Sequence, residues 1–152
     1  MGIVKAGGVV VPINLLQKAS EIVYVMDNAG VSGLIYHNAF QSNVDEILDE
    51  LQKVKLSICV STSTATSTQW ESLFNNNGKL PAINIDADND LVAILYNSDT
   101  TGKPKGAMLS QRNLVSNTAS VFKAMKRSTD DVIILVLPMF HAFAATVGML
   151  TP

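Results

Sequence analysis

The eleven residues Tyr96-Asn97-Ser98-Asp99-Thr100-Thr101-Gly102-Lys103-Pro104-Lys105-Gly106 gather three aliphatic hydroxyls, two glycines and two lysines into one stretch. Such a mixture suits an oxyanion. Glycines let backbone N–H groups converge on a negative centre, hydroxyls donate further hydrogen bonds, and lysines supply charge. The spacing is not that of the common nucleotide loop G-x-x-x-x-G-K-[ST], because Pro104 follows Lys103 and position 97 is Asn where the first glycine would fall. A polar turn whose geometry is set by Pro104 is the plainer alternative.

A second group lies downstream, in Leu137-Pro138-Met139-Phe140-His141. A histidine in an apolar stretch is either a satisfied packing residue or a donor lining a pocket, and Phe140 beside it suits both. No cluster of His, Cys and carboxylate has metal-ligand spacing. The carboxylates Asp86, Asp88 and Asp90 read as a solvated acidic loop.

Around these groups the chain alternates apolar strands with amphipathic helices. Strands are expected at residues 9–13, 32–36, 56–60, 91–96, 105–109 and 132–137. Leu15, Ala19, Ile22, Met26 and Ala29 recur at helical spacing, and Gly30 stands where a helix-ending glycine belongs. Asn43 with Glu46 predicts a capped helix start whose inner stripe is Val44, Ile47, Leu48 and Leu51. A short helix is expected around Trp70, and Ser110 caps a helix bearing Leu114, Thr118, Val121, Phe122 and Met125. Residues 61–68, rich in Ser, Thr and Ala, read as a solvated connection. Together these elements predict an α/β domain: a mostly parallel sheet with helices on both faces. Ligands of such sheets sit beyond the C-terminal ends of the strands, where the 96–106 stretch falls.

A chain of 152 residues is long enough for one domain with a real core. Its 47% hydrophobic and 16% charged residues leave apolar surface that a further polypeptide, including a second copy, could cover. The net charge of −2 gives no electrostatic case for nucleic acid. Cys59, the lone cysteine, cannot form an internal disulfide, which suits a reducing, cytoplasmic setting, and it reads as a small core residue. His37 reads as exposed, and Tyr24, Tyr36 and Trp70 as packing residues. Residues 132–150 carry no formal charge and reach the length of a membrane span. Pro138, His141 and the β-branched run 132–134 favour a strand, a loop and a helix start there instead.

The stretch from Tyr96 to Gly106 resembles the Y-[ST]-S-G-T-T-G-x-P-K-G signature of the adenylate-forming enzymes: acyl-CoA synthetases, luciferases and peptide-synthetase adenylation domains. It departs at Asn97, where Ser or Thr is usual, and at Asp99, where that family has Gly. Residues 2–14 resemble the segment that precedes this loop, and Leu137 to His141 resembles L-P-x-[FY]-H of the acyl-CoA ligase branch. The resemblance implies that ATP phosphates are bound by Ser98, Asp99, Thr100, Thr101, Gly102, Lys103 and Lys105, and that Phe140 and His141 border the acyl substrate. It further implies Mg²⁺, a carboxylic acid such as a fatty acid, and CoA as the other participants. The adenine-contacting motif, the hinge and the C-terminal domain with its lysine do not occur within residues 1–152, which read as one partial N-terminal domain. The chain alone is therefore expected to be inactive. The competing expectation is a degenerate module in which Asp99 has weakened ATP binding.

Overall fold

A computed structural model describes residues 2–14, 16–61, 67–75, 77–79, 82–97, 102–126, 128 and 130–151. The chain divides into two compact units, one formed by residues 13–80 and the other by residues 1–12 with 81–152.

The 13–80 unit is built on parallel strands. Helix α2 (Ala19–Asn28) is followed by β1 (Gly33–His37), a 3₁₀ turn (Asn38–Phe40), α3 (Gln41–Leu48), β2 (Leu56–Val60) and a short β3 (Thr68–Gln69). The sheet order is β1-β2-β3, with Leu34 opposite Ser57 and Tyr36 opposite Cys59. Helical spacing brings Ile22, Val25 and Met26 to the inner side of α2, and Val44 and Ile47 to the inner side of α3. The two helices share a core with Leu34, Tyr36, Leu51 and Cys59, of which Ile22, Val44, Ile47 and Cys59 are wholly buried. Tyr36 keeps its hydroxyl satisfied by donating to Gln41 Oε1 at 2.7 Å.

The end of α2 follows from Gly30. Its φ of +66° is the left-handed conformation that closes a helix cheaply only without a β-carbon. The Val31 N–H then donates to the Met26 carbonyl at 2.9 Å and the Gly30 N–H to Asp27 at 3.1 Å, which satisfies two carbonyls the helix would leave open. The start of α3 differs from expectation. The helix begins at Gln41, so Asn43 lies in its first turn and does not cap it. The cause is His37, whose Nδ1 accepts the Ala39 N–H at 3.1 Å and nucleates a 3₁₀ turn that carries directly into the helix.

In the other unit α1 (Gly2–Lys5) leads to an extended segment that pairs with the sheet only at Val10. Val10 donates to the Val92 carbonyl and accepts from the Ile94 N–H, both at 2.9 Å. The strand expected at residues 9–13 is thus a single bridge, since Pro12 has no N–H to continue the ladder. Strands β4 (Leu91–Asn97) and β5 (Lys105–Ser110) form an antiparallel hairpin, and α4 (Gln111–Met125) follows at once. Ser110 caps α4: its Oγ accepts the Asn113 N–H, while Asn113 Oδ1 accepts the Ser110 N–H at 2.9 Å. Loss of this reciprocal pair in Ser110→Ala is expected to cost about 1 kcal/mol. Urea unfolding monitored by far-UV circular dichroism reads it as a lower midpoint at unchanged slope.

Residues 132–137 do not form the expected strand. The run has no ladder partner among the described residues, and Val132, Ile134 and Val136 are 93%, 85% and 81% exposed. Strand residue types alone do not make a strand; a neighbour must take up the backbone groups. A π-helix, Ala144–Leu150, ends the chain's regular structure. No helix among the described residues is long and apolar enough to cross a membrane.

Candidate functional site

The stretch that could bind an oxyanion is the connection between β4 and β5. The apolar residues of β4 explain how it is held: Val92 and Ala93 are buried, which fixes the strand and leaves its C-terminal end as the emerging edge. The last ladder pair is Asn97 opposite Lys105, so residues 98–104 connect the two strands. Ser98, Asp99, Thr100 and Thr101 lie outside the described residues. Gly102, Lys103 and Lys105 are described, and all three are exposed at the turn end of the hairpin. Pro104 between them is half-buried. At the neck, Asn97 Oδ1 faces the Lys105 N–H at 3.4 Å, so the residue that replaces the signature's Ser or Thr still offers an oxygen to the closing pair.

Two ammonium groups and a glycine amide at the exposed end of a strand form an arrangement for an anion with several oxygens. Among the described residues no group of three His, Cys, Asp or Glu side chains could hold a metal. The acidic loop lies at the opposite end of the hairpin, beside the Leu91–Ser110 pair, and its carboxylates are already engaged. Asp86 accepts the Asp88 and Asn89 N–H groups at 3.0 and 3.3 Å, and Asp88 is ion-paired with Arg112.

Phe140 and His141 stand on a separate segment of the same unit. The His141 N–H donates to the Pro138 carbonyl at 3.0 Å, which makes the turn, and its own carbonyl accepts from Ala145 at 3.0 Å. The two rings stack at 5.3 Å with 29° between their planes. Phe140 is half-buried and His141 exposed, so the histidine is not a satisfied core residue.

A groove of about 500 Å³ was not foreseen. It is lined mainly by apolar groups, among them Val92 of β4, Leu114, Val115 and Phe122 of α4, and Leu150. The signal for it lay in α4 itself, where Leu114, Thr118 and Phe122 recur on one side, yet none of the helix is buried.

The sequence model of the AMP-binding enzyme family matches residues 1–152. The chain belongs to that family. A 4-coumarate–CoA ligase of Pinus taeda is 31% identical over 150 residues, covering 95% of this chain and 27% of that protein. 4-coumarate–CoA ligase 5 of Oryza sativa subsp. japonica is 46% identical over 69 residues, 43% of this chain and 13% of that protein. Among solved structures, ATP-bound MatB from Rhodopseudomonas palustris superimposes with a TM-score of 0.74 at 28% identity, over 97% of this chain and 29% of that one. The chain thus spans less than a third of the length of each of these proteins. The α/β class expected from the alternation of strands and helices is borne out: the 13–80 unit carries a parallel sheet with its helices, whereas β4 and β5 of the other unit pair antiparallel.

Proposed function

We propose that the chain supplies the phosphate-binding part of an ATP-dependent acyl-CoA ligase. The observation that carries the proposal is the β4–β5 hairpin, which presents Gly102, Lys103 and Lys105 to solvent at the C-terminal end of β4, inside a chain of the AMP-binding family. In the proposed reaction a carboxylate oxygen attacks the α-phosphorus of ATP. An acyl–phosphate bond forms, the α–β phosphoanhydride breaks, and pyrophosphate leaves. A thiol, that of CoA, then attacks the acyl carbonyl, forming a thioester and releasing AMP. An anion must approach a polyanion in the first step, so the requirement is fixed positive charge and N–H donors that stabilise the charge developing on the phosphates.

Ser98, Thr100 and Thr101 are proposed to add hydroxyl donors beside Gly102, Lys103 and Lys105. Mg²⁺ is proposed to arrive on the triphosphate, and the Asp99 carboxylate is proposed to weaken triphosphate binding by like-charge repulsion. Phe140 and His141 are proposed to border the acid, His141 as an orienting donor. Support for the acid–thiol assignment is that both plant relatives are named CoA ligases. Both compact units are proposed to belong to one partial AMP-binding domain.

Binding and turnover separate in the test. Mg-ATP titrated calorimetrically into the chain is expected to bind weakly, with a Kd on the order of 1 mM. ATP–pyrophosphate exchange by the chain alone is expected at background. Saturable binding absent up to 10-fold that concentration would favour the degenerate module marked by Asp99, and clear exchange would overturn the inactivity of the isolated chain. The exposed apolar run at 132–137 supports a second copy as its cover; a monomer at high concentration in light scattering would contradict that pairing.

A further inference from the structure

The neck of the phosphate turn carries a contact between two residues to which the sequence assigns no separate role. Tyr96 and Gly106 are direct partners across the β4–β5 ladder, one step inside the Asn97–Lys105 pair that closes the turn. A β-carbon placed on Gly106 would stand 2.8 Å from Tyr96 Cζ, 3.0 Å from Tyr96 Cε2 and 2.8 Å from Ile94 Cγ2. Non-bonded carbons settle at about 3.5–4.0 Å. The space a side chain would occupy at position 106 is therefore already taken by the tyrosine ring. Tyr96 is half-buried although its strand partner is exposed, as expected of a ring folded down over bare backbone. An aromatic ring laid across a facing glycine is a known way of pinning register in a twisted hairpin.

We propose that Tyr96 and Gly106 are positioning residues for the phosphate turn. The ring seated on the glycine fixes the ladder one step before the turn departs. That sets the direction in which Gly102, Lys103 and Lys105 leave the sheet. A preorganised neck lowers the conformational cost of holding a ligand beside it. Neither residue is assigned a contact with nucleotide; both act through the turn. The inference rests on the nucleotide reading above.

The test is a double-mutant cycle on the full chain, read by Mg-ATP titration calorimetry, with Gly106→Ala, Tyr96→Ala and the two combined. Gly106→Ala pushes the ring off its seat, and Tyr96→Ala removes the ring without adding bulk, so the second remains informative should the first fold poorly. Each single change is expected to weaken Mg-ATP by about tenfold, and the pair by little more than either alone, because one contact is lost in all three. In the unsubstituted chain, nuclear Overhauser contacts are expected between the Gly106 α-protons and the Tyr96 ring, and lost in Gly106→Ala. Single variants that bind like wild type, losses that multiply to about a hundredfold, or missing Overhauser contacts each overturn the positioning role. A wild-type chain that binds no Mg-ATP overturns it together with the nucleotide reading, whereas wild-type binding with multiplying losses removes the positioning role alone.

Discussion

Replacing Asp99 by glycine is expected to tighten Mg-ATP binding by roughly ten- to a hundredfold. Asp99 lies outside the described residues, so the expectation rests on charge and on its place in the turn, two positions past the closing Asn97–Lys105 pair. Two like charges about 4 Å apart repel by about 1 kcal/mol in bulk water and about 4 kcal/mol at an effective dielectric near 20. An exposed turn partly closed over a ligand falls between these limits, and about 1.4 kcal/mol is tenfold in affinity. Asp99→Asn isolates the charge contribution, since it removes the charge and keeps the shape. If repulsion dominates, Asn recovers most of the gain, and added salt narrows the difference between wild type and both variants. Equal affinities in all three would show that the carboxylate does not face the phosphates.

The second large effect is on stability. Ile47→Ala is expected to destabilise the 13–80 unit by about 3 kcal/mol, within the range measured for truncating a buried isoleucine. Ile47 is 0% exposed and packs in the cluster that holds Ile22, Val44 and Cys59. Neither α2 nor α3 can shift to fill the void without leaving β1. Trp70, the single tryptophan, lies in the same unit and reports its unfolding in urea by fluorescence. Val132→Ala supplies the contrast: at 93% exposure it should change stability by less than about 0.5 kcal/mol. A midpoint for Ile47→Ala that matches wild type would mean the α2–α3–β1 core is misassigned.

Both predictions draw on what the residues made legible and on what they left open. Gly30 announced the end of α2, and the Ser110–Asn113 pair bears out the start expected for α4. In each case the signal is local, because a cap or a positive φ is decided within a few residues. The stripe Ile22, Val44, Ile47 and Cys59 was readable for a related reason: burial repeats at the period of the element. Expectations failed where a distant partner decides. Residues 132–137 have strand composition, yet a ladder needs a neighbour, and none of the described residues supplies one. Residues 9–13 pair at Val10 alone because Pro12 stops the ladder. The start of α3 moved for a local reason instead: the His37 imidazole, read as merely exposed, accepts the Ala39 N–H two residues on. At the candidate site, the hairpin carrying Lys103 and Lys105 followed from the alternation of strand and turn, whereas the seating of Tyr96 on Gly106 needed the register of β4 against β5.

Amide chemical-shift mapping during a Mg-ATP titration tests most directly whether this hairpin receives a nucleotide's phosphates. The amides of Gly102, Lys103 and Lys105 are expected to move first and furthest, saturating together, while those of α2 and α3 stay still. Shifts that are absent, or that gather away from the β4–β5 turn, would contradict the account.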